Sequence, residues 1–245
     1  MSDKDTISGF IPTFENGGYW EYYKDLERQF ENFLEYVPYL SGNEKTYSFR
    51  LANLLLATGA HIDCAFKEIA KYPEFSTKYP EIANKSKPTI ADYYPLALEY
   101  ALSQRKVMFK RLPEQEQITP FQQYIKTEEK IETPTWWKVH NQVKHHFSEN
   151  FDKANLQNVR DALAGAFLLN VIHTPSYVWL MECRVITPRI KSKAIGVNAF
   201  MISKDWISKF KAKGASAKKY GVIETSLFYY EYYQMNSEAL GFRLS

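Results

Sequence analysis

The sequence predicts a mainly α protein: an antiparallel helical bundle with a small C-terminal β element. Three observations carry that expectation. Across 46–72, Leu51, Leu55, Thr58, Ile62, Ala65, Phe66 and Ile69 fall on one stripe at about 100° per residue, the pattern of an amphipathic helix. Across 152–173, the stretch from Ala162 to Ile172 is apolar around nearly its whole circumference, which marks a helix buried on most sides. From Ile190 onward the composition turns β-branched and aromatic, in Ala194 to Ile202 and Val222 to Tyr233, as strands require.

The elements follow in order. Residues 1–18 are polar and turn-rich, with Pro12 and Gly17-Gly18, and read as an arm with little structure of its own. A helical pattern runs from Tyr19 to about Val37, where Pro38 and Ser41-Gly42 stop it. The striped helix follows and Pro73 ends it. Its other side carries Arg50, Asn53, His61, Asp63 and Lys67, and Leu56 breaks the pattern. Residues 73–88 hold Pro73, Pro80 and Pro88 and read as a loop. Thr89 caps a short helix to about Leu102, and Val107 and Phe109 alternate with Met108 and Lys110 as in a strand. Residues 113–132 read as a long connection with one turn of helix, long for a compact domain. Helices then cover 135–147 and 152–173. Asn170 lies inside the second and needs a hydrogen-bond partner if buried. The chain thus divides into the arm (1–18), a helical bundle (19–189) and an appendage with two strands (190–245).

Composition bounds the function. The 245 residues carry a net charge of only +3, too little to attract nucleic acid or anionic membranes in bulk. Any anion site must be a local patch. The basic run from Lys209 to Lys219 reads as a solvated loop. Cys64 and Cys183 are far apart, lack metal-ligand spacing, and are expected as free buried thiols. Met1 to Thr6 is polar, with no signal-peptide core, and no run approaches the roughly 20 apolar residues of a membrane span. A cytoplasmic location is expected, with no membrane association.

One segment carries a candidate site: Pro134-Thr135-Trp136-Trp137-Lys138-Val139-His140-Asn141-Gln142-Val143-Lys144-His145-His146. On a helix, Trp136, Val139, Val143 and Phe147 share one face. Asn141, Lys144 and His145 share another, with Trp137 among them. An imidazole can move protons, so His145 is a candidate acid or base, and Lys144 is a cation that neutralises a phosphate. His140 borders the apolar face, where packing is the simpler role. His140, His145 and His146 lack the i, i+4 imidazole pair of a zinc helix, so no metal and no cofactor are expected.

Trp136-Trp137, then His140-Asn141-Gln142-Val143-Lys144-His145, then Ala154-Asn155-Leu156-Gln157-Asn158-Val159, resembles the HEPN superfamily of helical nucleotide-binding proteins, closest to its poorly characterised bacterial members. The helix with Phe49-Arg50-Leu51-Ala52-Asn53-Leu54-Leu55-Leu56 is similar to the long helix before the motif in such proteins. The resemblance implies a bundle that dimerises and, in many members, metal-independent RNA cleavage in bacterial defence or stress systems. It also implies an active site of an Arg, a following polar residue such as Asn, and a His four to six residues after the Arg. Asn141 and His145 match the polar residue and the His, as catalytic candidates. His140 stands where the Arg would be, and a mostly neutral imidazole does not replace a guanidinium that grips phosphate with two donors. Arg50 or Lys144 would have to supply the missing cation; with His140 they are the substrate-binding candidates. Two readings stay open: an RNA-cleaving or RNA-binding protein of this kind, and a non-catalytic helical protein acting through a homodimer or protein partner.

Overall fold

A computed structural model describes residues 14–110, 116–172 and 217–235. The expected strand at 194–202, Cys183 and most of the basic run lie outside the described residues. The fold is mainly α with a small β element, as the hydrophobic pattern requires.

Helix α1 spans Phe14–Leu34, so it begins within the stretch read as an arm. Helix α2 spans Phe49–Lys71. Its N-cap Ser48 accepts a hydrogen bond from the Leu51 amide at 3.1 Å, and Lys71 sits in its last turn, where the helix dipole favours a cation. Pro73 closes the helix but also opens the single turn α3, Pro73–Ser76, and Pro80 opens α4, Pro80–Ala83. The segment read as a loop therefore holds two proline-initiated turns, since proline at the first helical position loses no bond. Thr89 and Asp92 form a capping box over the 3₁₀ turn Ile90–Tyr93, and α5, Tyr94–Glu99, follows. Strands β1, Val107–Phe109, and β2, Glu116–Ile118, come next. Helix α6 spans Thr135–His145, α7 Phe147–Asn150, and α8 Leu156–Ile172. Strands β3, Ala217–Glu224, and β4, Phe228–Met235, end the described chain.

The bundle consists of α1, α2, α6 and α8. Tyr47 bridges to Asn155 just before α2 and α8, and His61 meets Asn170 further along both, so these two helices run parallel. Helix α6 opposes α2: Phe49 meets Phe147 at one end and Gly59 meets His140 deeper in. Helix α1 opposes α8. Trp20 packs on Phe167 near the start of α1, while Tyr39, beyond its end, lies under the Arg160 guanidinium at 4.9 Å. Leu55, Ile62, Val143, Leu163 and Phe167, one or two from each striped helix, are all fully buried. The connection 116–134 is not idle. Phe121 and Tyr124 are buried under α2 and α6, and Pro120 accepts the Trp136 indole hydrogen at 2.7 Å.

All four strands form one antiparallel sheet in the order β2-β1-β4-β3. The stretch 222–233, expected as one strand, is broken by a turn between β3 and β4. Thr225 and Phe228 close that turn, with the Phe228 amide on Thr225 Oγ1 at 3.1 Å and the Thr225 amide on the Phe228 carbonyl at 2.8 Å. Leu227 and Phe228 are fully buried, and Phe228 stacks on Phe167 with centroids 5.9 Å apart. Glu27 of α1 holds the same turn. Its buried carboxylate accepts the Leu227 amide at 3.0 Å and the Thr225 hydroxyl. Burial pushes this carboxyl above the ordinary range, against the pull of those two donors.

Two expectations about α2 fail, for different reasons. Helix α2 is covered by α1, α6 and α8 together, so its buried arc is wider than the apolar stripe, and His61, expected on the solvent side, is buried within it. Cys64, expected as a buried thiol, is exposed, because it lies about 150° from the centre of the stripe, outside that arc. The His61 Nε2 accepts from the Asn170 amide at 2.8 Å, and the same amide donates to the Ala166 carbonyl at 2.8 Å. The Asn170 side-chain nitrogen thus has the partners its position demands, while its Oδ1 is buried without one among the described residues.

Candidate functional site

Pro134 opens α6, its carbonyl accepting the amides of Trp137 and Lys138 at 3.0 Å each. The helix then sorts its side chains by depth. Trp136 and Trp137 are both buried, their rings edge to face with centroids 5.9 Å apart. Trp137 was expected among the polar residues. It is buried because α6 packs on both α2 and α8, so more than one of its faces is covered.

His140 is buried, only 4% exposed, in the seam between α6 and α2. Its ring lies 5.0 Å from the Trp137 ring and against Gly59 of α2. A Cβ at Gly59 would stand 2.2 Å from His140 Cδ2, so the close approach of the two helices needs a glycine there. His140 Nδ1 is buried without a hydrogen-bond partner among the described residues. Burial pushes the imidazole down from 6.5 to about 4, and the Lys144 ammonium acts in the same direction; Asn141 and Asp63 act against them. His140 is therefore neutral at pH 7 and cannot stand in for the guanidinium of the family motif.

The other candidates lie further out. Asn141 is half-buried, and Lys144 and His145 are exposed in the last turn of α6. Arg50 is exposed in the first turn of α2. The rings of Phe49 and Phe147 stack nearly parallel, at 10° with centroids 6.3 Å apart, so the start of α2 and the end of α6 share one end of the bundle. Arg50, Lys144 and His145 lie at that end, with Arg50 about 180° around α2 from the Gly59 that meets α6, and His140 stays inside. Arg50 and Lys144 make no ion pair or hydrogen bond among the described residues.

The same end holds a feature that the α6 motif did not announce. Tyr47, Phe49, Phe147 and Phe151 form a contiguous ring cluster, with Phe49 and Phe151 centroids 4.5 Å apart, Phe147 and Phe151 5.3 Å, and Tyr47 and Phe151 5.4 Å. Phe49 is 70% exposed, Tyr47 51% and Phe147 38%. Phe147 was read as part of the apolar face of its helix. It lies one residue past the C-cap of α6, where the chain has left the helical path. A signal was available for Phe49: on a helical projection it falls about 150° from the centre of the α2 stripe, an aromatic on the polar side.

Among the described residues, no group of three or more His, Cys, Asp and Glu side chains gathers as metal ligands would. No described helix is long and apolar enough to cross a membrane. No protein-family model, curated protein or solved structure matches the chain.

Proposed function

We propose that this chain is a non-catalytic helical protein, HEPN-like in its motif, that acts by binding another protein. The observation that carries the reading is the burial of His140. A nuclease site of the resembled kind needs a permanent cation beside the Asn and the His. Here that position is a neutral imidazole held in a helix seam by Gly59 and Trp137. The test is cleavage of labelled RNAs of varied sequence and structure by the purified protein in chelator. The expected result is no cleavage above that of His145→Ala.

A second reading keeps its own support. His145, Lys144 and Arg50 are exposed at one end of the bundle, beside half-buried Asn141. In that reading His145 acts as general acid or base on RNA, Asn141 orients the phosphate, and Lys144 or Arg50 offsets the developing charge, without a metal. A homodimer would then bring two copies of residues 141–145 together. Chelator-resistant cleavage that disappears in His145→Ala would establish this reading and overturn the first. Loss of a proton-transfer group typically costs about 10²–10⁴-fold, which such an assay resolves.

A further inference from the structure

We propose that the aromatic end of the bundle is a docking site for a short protein segment that carries an apolar anchor beside a carboxylate. The proposal rests on the protein-binding reading and names its surface and the chemistry of its partner.

Three features point there. The first is apolar exposure: taking about 200 Å² per ring residue, Tyr47, Phe49 and Phe147 leave roughly 300 Å² open in one contiguous patch, the size at which an exposed patch is often functional. The second is rigidity. The two loops that present the rings are tied to each other by the Tyr47–Asn155 bridge, by the Leu156 amide on the Thr46 carbonyl at 2.9 Å, and by the Gln157 amide on the Glu44 carbonyl at 3.0 Å. The rings therefore lose little freedom when covered, which favours binding over mere exposure. The third is charge. Arg50 directly follows Phe49, Lys144 lies at the same end, and neither has an ionic partner among the described residues.

The patch also selects among occupants. A standard interface covers about 800 Å² on each partner, so a second copy of this chain seated here alone would bury too little for a stable dimer. A nucleic-acid strand would stack on the rings, but it carries a phosphate at every nucleotide, so some would meet the exposed carboxylates of Glu149 and Asp152 as well as the cations, whereas a single peptide carboxylate needs only the Arg50 side of the patch. A peptide resolves both constraints. One aromatic or aliphatic side chain covers Phe49 and Phe147, and a neighbouring Asp or Glu meets Arg50.

The experiment is a random 12-residue peptide library on phage, selected in parallel on the wild-type protein, Phe49→Ser and Arg50→Glu. Phe49 is largely in water, so Phe49→Ser should keep the wild-type melting temperature, which checks the fold. The expected result is wild-type enrichment of peptides with an apolar anchor next to Asp or Glu. Resynthesised with fluorescein and measured by anisotropy, they should bind Phe49→Ser at least about tenfold more weakly, as for an aromatic hot spot. Arg50→Glu should weaken them and turn their weakening by salt into a strengthening, because the carboxylate then meets a like charge that salt screens. No enrichment over Phe49→Ser, or peptides indifferent to both substitutions, overturns the proposal. Two further arms overturn it in favour of another occupant: a fluorescein-labelled 12-nucleotide oligouridine whose binding is lost in Phe49→Ser, or a sedimenting dimer lost in Phe49→Ser. Failure of the underlying reading is distinct, since it shows as RNA cleavage; a protein inert on RNA that yields no patch-dependent peptide sinks the docking site alone.

Discussion

Replacing Gly59 by Ala tests whether His140 is a packing residue. The new methyl carbon would lie 2.2 Å from His140 Cδ2, against about 3.5–4.0 Å for an unstrained carbon contact. The ring has little room to retreat, because the Trp137 ring stands 5.0 Å away on its own helix. Overpacking of a buried site costs about 1–3 kcal/mol, and the helix regains about 1 kcal/mol from replacing glycine by alanine. Given so deep an overlap, Gly59→Ala should lose about 1–2 kcal/mol in urea denaturation. In a His140→Ala background the ring is gone, and the same methyl group should be neutral or stabilising by up to about 1 kcal/mol. The double-mutant cycle then shows a coupling of about 1–3 kcal/mol. His140→Ala also has a pH signature. The folded-state imidazole titrates at about 4 rather than 6.5, so the unfolded chain takes up the proton first as pH falls. The wild type therefore has its full contribution above about 6.5 and loses up to ~3 kcal/mol toward pH 4, at 1.36 kcal/mol per unit. That component should be missing from His140→Ala. Additive effects of Gly59→Ala and His140→Ala, with parallel pH profiles, would show that the ring does not fill this seam.

Two further outcomes follow from the structure. Glu27→Gln keeps an acceptor for the Leu227 amide and the Thr225 hydroxyl while removing a buried charge. Because burial raises the Glu27 pKa, the wild type loses stability as pH rises from the ordinary carboxylate range through the folded value. Denaturation midpoints should thus favour Glu27→Gln most at pH 8 and converge toward pH 4.5; a constant deficit for the variant would refute this. Phe167, in contact with Trp20, Tyr23 and Phe228, should cost about 3–5 kcal/mol when truncated to Ala, and exposed Lys144 less than about 0.5 kcal/mol. Equal midpoints for those two variants would mean the core lies elsewhere.

Hydrophobic periodicity carried the helices because each has one dominant apolar face. The stripe from Leu51 to Ile69 marked α2, and the all-round apolar stretch marked α8 as the most enclosed helix. Periodicity did not report how many neighbours a helix has. His61 and Trp137 are buried beyond what the stripes imply because α2 and α6 are each covered by several elements rather than one. Cys64 follows the stripe instead of the usual burial of a free thiol, about 150° from its centre and exposed. The turn at Thr225 was also hidden. A threonine-serine pair is an ordinary turn signal, but the residues on either side of it are aromatic and β-branched enough to read as one strand. For the candidate site, helical spacing correctly placed Asn141, Lys144 and His145 as neighbours. Depth was what spacing could not supply, and depth separates His140 from the other three.

That separation bears on how the two readings can be told apart by substitution. Restoring an Arg at position 140 would be the natural way to rebuild the resembled motif. The seam forbids it. Gly59 brings the α2 backbone against the ring, Trp137 closes one side, and the position is only 4% exposed. A guanidinium there would be a buried, permanent charge with five donors, and the neighbouring carboxylate, Asp63, is already paired with Lys67, so the change brings a loss of stability rather than a gain of function. His140→Arg should therefore unfold or loosen the protein before it activates it, and inactivity of that variant would say nothing about catalysis. The informative changes lie at the exposed end. If His145 and Lys144 serve RNA chemistry, their removal abolishes an existing activity. If Phe49 serves a partner, its removal abolishes binding while RNA is untouched; Arg50 is a cation in both readings, so its removal does not separate them. The fold places His145 and Phe49 at one end of the bundle but on different helices, α6 and α2, so the two losses can be scored independently in the same protein.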